Sequence, residues 1–171
     1  MSMNERLGHK FIWGLKYRPK VVSDLILPPR VSEQIENIIN NKHLPNILLT
    51  GAAGTGKTST ATVLCNELNA EYLYINCSEQ TGIDTIRTKV RNFVTSSNWE
   101  KNSKIVLMDE ADRLSSQAAD SAKVFIEEFS KNCSFIFISN HKNKIIPPLR
   151  SRLQEIDYNF TRKELEGMKK D

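Results

Sequence analysis

The stretch that decides the fold is a glycine-rich loop followed by a serine, Gly51-Ala52-Ala53-Gly54-Thr55-Gly56-Lys57-Thr58-Ser59. It comes directly after a short apolar run at residues 47–50 and directly before a segment with helical spacing of apolar residues. This glycine spacing, closed by Lys and a hydroxyl residue, is typical of a loop whose backbone N–H groups surround phosphate. It predicts ATP binding, with Lys57 on the β and γ phosphates and the Thr58 hydroxyl on Mg²⁺.

A pair of carboxylates provides the second chemical signal. Asp109 and Glu110 stand together at the end of the apolar run at residues 105–108. In that position we expect Asp109 to face the metal and its water shell, and Glu110 to activate the attacking water. Because the phosphate loop lies upstream, the two motifs together predict ATP hydrolysis in addition to binding.

The same pattern of runs predicts the fold. Short apolar runs rich in β-branched and aromatic residues predict strands at residues 47–50, 72–76, 105–108 and 135–139. They lack in/out alternation, which predicts burial on both faces. Helical segments separate them, one of them capped by Ser115 or Ser116, and residues 153–158 are interpreted as a short edge strand. The alternation predicts an α/β fold with a parallel sheet.

Composition is that of one globular domain. The chain has 171 residues, 39% of them hydrophobic, and a formal net charge of +4 that would suit an anionic partner. Three cysteines without paired spacing, Cys65, Cys77 and Cys133, predict buried thiols in a reducing compartment. Since no apolar run is long enough for a signal peptide or a membrane span, we expect a cytoplasmic protein, or a nuclear one in a eukaryote.

Asp109-Glu110-Ala111-Asp112 also spells the signature tetrapeptide of a large helicase family. Those helicases need two such domains, and 171 residues hold one. The fourth predicted strand also ends in Ser139-Asn140, where those helicases carry Ser-Ala-Thr. We therefore interpret Asp112 as a helix-start or surface carboxylate.

Each of three polar residues near the later predicted strands has both a functional and a non-functional interpretation. Asn140 could contact the γ-phosphate and the attacking water, or could simply end a strand. Arg150 and Arg152 follow a pair of prolines and could be solvated charges. Arginine is also the side chain best suited to complete a phosphate site on a neighbouring subunit.

Taken together, these residues resemble the AAA+ ATPase subunits of sliding-clamp loaders, such as replication factor C small subunits and the bacteriophage clamp-loader ATPase. The resemblance implies a P-loop three-layer sandwich with a five-stranded parallel sheet. Tyr17, Arg18 and Pro19 resemble the opening motif, which lies against the nucleotide's base and ribose. Asn140 matches the sensor-1 position. Arg152 matches the arginine that acts on the adjacent subunit's ATP, although Leu153 replaces the cysteine of that motif.

The resemblance also implies partners. Residues 76–78, Gly82 and Arg87 resemble the stretch in which a helix faces primer–template DNA, and Lys89 and Arg91 add basic charge to the same helix. A solvated helix face is the alternative reading. The family members assemble with other subunits as a ring, a pentamer in the complete protein, and act on a sliding clamp.

The predicted function is therefore that of an ATPase subunit that loads a sliding clamp onto primer–template DNA. The alternatives are a helicase-loading or initiator AAA+ ATPase, and a nucleotide-binding assembly module that does not hydrolyse ATP. We expect residues 1–160 to form the ATPase domain. Residues 161–171 would be a linker or the start of the helical lid domain that family members carry.

Overall fold

Five parallel strands form one sheet in the computed structural model, which describes residues 19, 21–78, 83–96 and 103–168. The strands are β1 (Ile47–Thr50), β2 (Glu71–Asn76), β3 (Lys104–Asp109), β4 (Ser134–Ser139) and β5 (Gln154–Asp157). Their order across the sheet is β2-β3-β4-β1-β5, and every pairing is parallel. The predicted α/β class and the edge position of the last strand are confirmed.

Helices cover both faces of this sheet. They are α1 (Pro29–Asn40), α2 (Lys57–Glu67), α3 (Ile83–Thr95), α4 (Ser116–Phe129), α5 (Pro147–Arg150) and α6 (Arg162–Gly167). One apolar cluster joins the sheet to α1 and α2, and a second joins it to α3, α4 and α5. The three layers of the prediction are therefore present. The carboxyl ends of β1, β3 and β4 lie side by side, because β4 pairs in parallel with both β1 and β3.

Local signals explain where several elements begin. The Ser115 hydroxyl accepts a hydrogen bond from the Ala118 N–H and caps α4, as one of the two predicted caps should. Pro29 stands at the first position of α1, where its missing N–H costs nothing. The three cysteines are buried, as predicted, and no disulfide joins them. None of the helices in the described part of the chain combines the length and apolar composition that crossing a bilayer requires.

The prediction of burial on both faces is wrong for β2. Tyr72 and Tyr74 are exposed, whereas Ile75 is buried. The physical reason is topological, because β2 is an edge strand and only its Leu73 and Ile75 face packs into the cluster with α3 and α4. The central strands β1 and β4 do have the predicted burial on both faces.

The polar segment after β5 contains a capped helix. Thr161 and Glu164 form a capping box at the start of α6. Glu164 also forms an ion pair of 2.7 Å with Arg30 of α1, which joins the start of α6 to α1. The division between residues 1–160 and 161–171 stays a prediction.

Candidate active site

The glycine-rich loop connects β1 to α2 in the way that its sequence predicts. Gly51, Gly54 and Gly56 all have positive φ angles, of 143°, 79° and 89°. Gly56 is the residue before α2 and has no side chain with which to cap it, so the first N–H groups of the helix stay open to the loop. An uncapped helix N-terminus with converging N–H groups is a site for an anion such as phosphate.

Lys57 is held inside this loop. Its side chain is only 5% exposed, and its Nζ donates to the carbonyl oxygens of Gly51 at 2.8 Å and Ala52 at 2.6 Å. The Thr55 hydroxyl donates to the same Ala52 oxygen at 2.9 Å. Burial lowers the pKa of Lys57, while the charges of Asp109 and Asp112 act against that shift. The ammonium group is therefore placed where an anion would relieve its desolvation.

Asp109 ends β3 beside the first turn of α2. Its Oδ2 accepts hydrogen bonds from the Thr58 hydroxyl at 3.0 Å and from the Tyr74 hydroxyl at 3.1 Å. Its Oδ1 accepts from the backbone N–H of Glu110 at 2.8 Å. The two residues predicted to bind the metal, Thr58 and Asp109, are thus in direct contact.

This donor set fits Mg²⁺. A hydroxyl and a carboxylate are hard oxygen donors, and Mg²⁺ uses one or two protein oxygens while water and nucleotide phosphates supply the rest. Within the described ranges, no group of three or more His, Cys, Asp or Glu side chains forms a separate metal centre. The site matches a metal that arrives with a nucleotide rather than one held by the protein alone.

Glu110 has an uncommon backbone conformation. Its φ and ψ are 52° and 41°, in the left-handed region, and it leads into a short 3₁₀ turn, Ala111–Arg113. A residue other than glycine pays a conformational cost there, of the order of 1 kcal/mol, and such residues cluster at functional sites. The turn leaves Glu110 lining the same cavity as the phosphate loop.

Asn140 follows β4, which pairs with β1. Its backbone N–H donates to Asp112 Oδ1 at 3.3 Å, and the Ser139 hydroxyl lies 3.4 Å from the same oxygen. Asp112 is half-buried and joins the ends of β3 and β4. Asp112 stands in the first turn of a short 3₁₀ helix, which agrees with its interpretation as a helix-start carboxylate.

One cavity of about 360 Å³ brings the two motifs together. Loop and helix residues on one side meet residues at the carboxyl ends of β3 and β4 on the other. The lining residues are Ala53, Gly54, Gly56, Lys57, Thr58, Ser59, Asp109, Glu110, Ile138 and Asn140. This geometry can hold a polyphosphate next to a metal and a carboxylate that faces water.

Arg152 lies elsewhere. It is not among the residues that line this cavity. Its Nε and Nη2 donate to Glu127 Oε1 of α4 at 3.0 and 2.6 Å, and its Nη1 donates to the Pro148 carbonyl at 2.7 Å. The side chain is 34% exposed, so it belongs to a surface of the domain rather than to the domain's own phosphate site.

The predicted DNA residues on α3 divide into two kinds. Arg87 lies over the Phe125 ring at 5.9 Å, and Arg91 forms a 3.6 Å ion pair with Glu128, so both contact α4. Lys89 is exposed. Gly82 falls outside the described residues.

The opening motif is described only in part. Tyr17 and Arg18 fall outside the described residues, whereas Pro19 is half-buried and does not line the cavity. The predicted contact of this motif with the base and ribose therefore stays a prediction.

Three side chains that contact predicted site residues were not themselves predicted from the sequence as part of the site. Tyr74 contacts Asp109, Asp112 supports Asn140, and Glu127 holds Arg152. Of these three, only Asp112 belongs to a recognisable sequence motif, the tetrapeptide at residues 109–112. Tyr74 and Glu127 reach their partners through tertiary structure, which no local pattern reveals.

Comparison with known proteins agrees with this geometry. The family model of AAA, the ATPase family associated with various cellular activities, matches residues 47–160. Replication factor C small subunit of Halobacterium salinarum is 35% identical over 150 residues, which cover 85% of this chain and 47% of that protein. The sliding-clamp-loader large subunit of Escherichia phage RB69 is 38% identical over 145 residues, which cover 84% of this chain and 45% of that protein.

Solved structures show the same fold. RuvB of Thermotoga maritima, a Holliday junction branch migration motor, superposes with a TM-score of 0.68 at 21% identity, over 89% of this chain and 52% of RuvB. The chain spans about half the length of the curated relatives it matches. The predicted resemblance to clamp-loader subunits is confirmed by these similarities, and the match over residues 47–160 shows that the chain belongs to the AAA family of ATPases.

Proposed function

We propose that this chain is the ATPase domain of a DNA sliding-clamp loader subunit, which uses ATP to place a clamp on primer–template DNA. The observation that carries the proposal is the single cavity in which the open N-terminus of α2, the Thr58–Asp109 pair and Glu110 meet. The relatives named replication factor C small subunit and sliding-clamp-loader large subunit support the choice of task.

Five side chains of the cavity have separate parts in hydrolysis. The N–H groups of residues 51–59 and the Lys57 ammonium would hold the phosphates, while Thr58 and Asp109, already in contact, would hold Mg²⁺. The metal, when bound, neutralises charge that develops on the phosphate oxygens. Glu110 orients and deprotonates the attacking water, and the Asn140 amide contacts that water and the γ-phosphate.

Arg152 completes the site of the adjacent subunit. Its place on the domain surface, outside its own cavity, supports an action in trans. Arginine offers a planar, permanently charged donor set that matches phosphate oxygens. An arginine supplied in this way accelerates hydrolysis by roughly 10³ to 10⁵. We therefore expect the isolated chain to be a slow ATPase and the assembled ring to be a fast one.

DNA would contact the exposed side of α3. Among the described members of the predicted set, Lys89 is exposed, whereas Arg87 and Arg91 contact α4. Phosphate contacts of this kind carry no base information. Binding should therefore weaken steeply with salt and should not depend on DNA sequence.

The test is steady-state ATP hydrolysis by the chain together with its partner subunits, with and without clamp and primer–template DNA. We expect strong joint stimulation by clamp and DNA. Arg152→Ala should abolish this stimulation, and the neighbouring Arg150→Ala should retain it. Glu110→Gln should bind ATP but not hydrolyse it.

Other results would contradict the proposal in distinguishable ways. Stimulation by DNA or a helicase, but not by a clamp, would favour a helicase loader or initiator. ATP binding without any hydrolysis, unchanged by Glu110→Gln, would leave only a nucleotide-binding assembly module.

A further inference from the structure

Two tyrosines stand on the uncovered face of the edge strand β2. Tyr72 is 40% exposed and Tyr74 is 49% exposed. The other face of β2 is packed against α3 and α4 through Leu73 and Ile75. Exposed aromatic residues on an edge strand usually need no explanation beyond covering the sheet. Tyr74, however, makes a polar contact that a covering role does not require.

The hydroxyl of Tyr74 donates to Asp109 Oδ2 at 3.1 Å. In the β2–β3 register, Tyr74 lies opposite Leu107, and Asp109 lies opposite Asn76. Tyr74 and Asp109 are therefore diagonal neighbours on one face of the sheet, a separation that a long aromatic side chain can span. The register places the phenol beside the carboxylate without help from the phosphate loop.

Asp109 receives its donors from three different places. Thr58 is on α2, the N–H of Glu110 belongs to the residue that follows β3, and Tyr74 is on β2. The carboxylate torsion of Asp is broad, so its plane must be set by hydrogen bonds to both oxygens. The Thr58 hydroxyl is itself a metal-binding candidate, whereas Tyr74, the other side-chain donor to Oδ2, lies outside the residues that line the phosphate cavity.

We propose that Tyr74 is a positioning residue, whose hydroxyl orients the Asp109 carboxylate toward the Mg²⁺ that accompanies ATP. The inference rests on the proposed function, since it assigns a supporting group to the same site. Hydrogen-bonded partners behind a metal ligand fix its orientation and raise the affinity for the metal. Tyr74 is not among the residues that line the cavity, so it would act on the metal through Asp109.

The test compares wild type, Tyr74→Phe and Tyr72→Phe in binding a fluorescent ATP analogue, mant-ATP, first in EDTA and then along a Mg²⁺ titration. Both substitutions remove one exposed phenolic oxygen from the same strand face. Tyr72 is the matched control because it lies opposite Ile105, farther along β3 from Asp109.

Tyr74→Phe should raise the Mg²⁺ concentration for half-maximal tightening of mant-ATP binding by about tenfold, the lower end of the usual cost of losing such a partner. Its affinity in EDTA should equal that of wild type, which also shows that the phosphate loop is folded. Tyr72→Phe should match wild type in both measurements.

Three outcomes overturn the inference. A Mg²⁺ titration of Tyr74→Phe that coincides with wild type shows that the contact does not position Asp109. An equal shift in Tyr72→Phe assigns the effect to the sheet edge. Failure of wild type to bind mant-ATP at all removes the proposed function as well, and so is distinct from the first two results.

Discussion

At the scale of single residues, Gly51 is where the phosphate loop approaches the sheet most closely. A Cβ built on Gly51 would lie 2.6 Å from the backbone carbon of Tyr158 and 2.8 Å from its Cβ. Those are atoms of the segment that follows β5, and the Tyr158 N–H is hydrogen-bonded to the Thr50 carbonyl. Neither side can yield without separating the end of β1 from the segment after β5.

Gly51→Ala should therefore destabilise the fold by about 3 kcal/mol, through steric overlap and a positive φ together. Gly54→Ala is the matched control, since Gly54 also has a positive φ but has open space around its missing Cβ. It should cost only about 1 kcal/mol. Urea unfolding of both variants measures the difference, and equal losses would show that φ alone matters.

The residues of the site differ in how far the sequence could predict them. The loop and the Asp109–Glu110 pair follow from local spacing, because backbone N–H groups and adjacent strand ends are local geometry. The left-handed backbone of Glu110 and the contact of Tyr74 with Asp109 do not. Both depend on how β3 leaves the sheet and which strand lies beside it.

At the scale of elements, Arg30 connects α1 to the end of the chain. Its Nε donates to Glu164 at 2.7 Å, Nη1 to the Asp157 carbonyl at 2.6 Å, and Nη2 to the Asn159 carbonyl at 3.1 Å. The Thr161 N–H, the Arg30 guanidinium and the Thr161 hydroxyl together lower the pKa of Glu164 to about 2. One arginine thus fixes the direction in which the chain leaves β5.

Arg30→Ala should release α6 from α1 at neutral pH. We expect faster amide hydrogen exchange across Arg162–Gly167, with the exchange of β1 and β4 unchanged. Arg162→Ala is the control, because it removes only an exposed ion pair with Glu166 and should leave α6 protected. Unchanged exchange in Arg30→Ala would contradict the role given to Arg30.

At acidic pH, α6 should also separate from α1 in the wild-type protein. The pKa of the Glu164 carboxyl is lowered when α6 is packed against α1, so its contribution to that packing is complete above its ordinary pKa near 4.5. The contribution is lost as the pH falls toward 2. The protection of the α6 amides, measured relative to their intrinsic exchange rates at each pH, should therefore fall within that window in wild type but show no such step in Glu164→Gln.

At the scale of the whole molecule, three buried groups resist ionisation at high pH. Burial raises the pKa of Cys77 to about 12, with nearby Asp109, Glu110 and Asp112 adding to the shift. Burial likewise raises the pKa of Cys133 to about 12 and that of Tyr158 to about 12. The native state keeps these protons while the unfolded chain releases them.

Stability should therefore fall as the pH rises above about 9, because the unfolded state then binds fewer protons than the native state. Each thiol contributes up to about 1.4 kcal/mol per pH unit between its two pKa values. Urea unfolding between pH 7 and 10.5 measures the slope. A Cys77→Ala, Cys133→Ala double variant should show a shallower slope, and an identical slope would contradict this explanation.

The sequence predicts a strand and its burial correctly where helices cover both faces of that strand. The apolar runs of β1, β3 and β4 predict central strands because helices cover both of their faces. The run in β2 is of similar composition, but its position at the edge is a property of strand order and leaves Tyr72 and Tyr74 exposed. Arg30 and Glu164, 134 positions apart, meet only in the folded chain.

The central claim is that ATP held by one subunit is completed by Arg152 of the next. The direct test mixes two variants of the assembled protein, Lys57→Ala, which keeps Arg152, and Arg152→Ala, which keeps an intact phosphate loop. Each alone should be nearly inactive with clamp and DNA present. We predict that the mixture regains a substantial part of the wild-type rate of ATP hydrolysis, since mixed neighbours restore one complete site. A co-assembled mixture whose rate equals the average of the two inactive variants would contradict the claim.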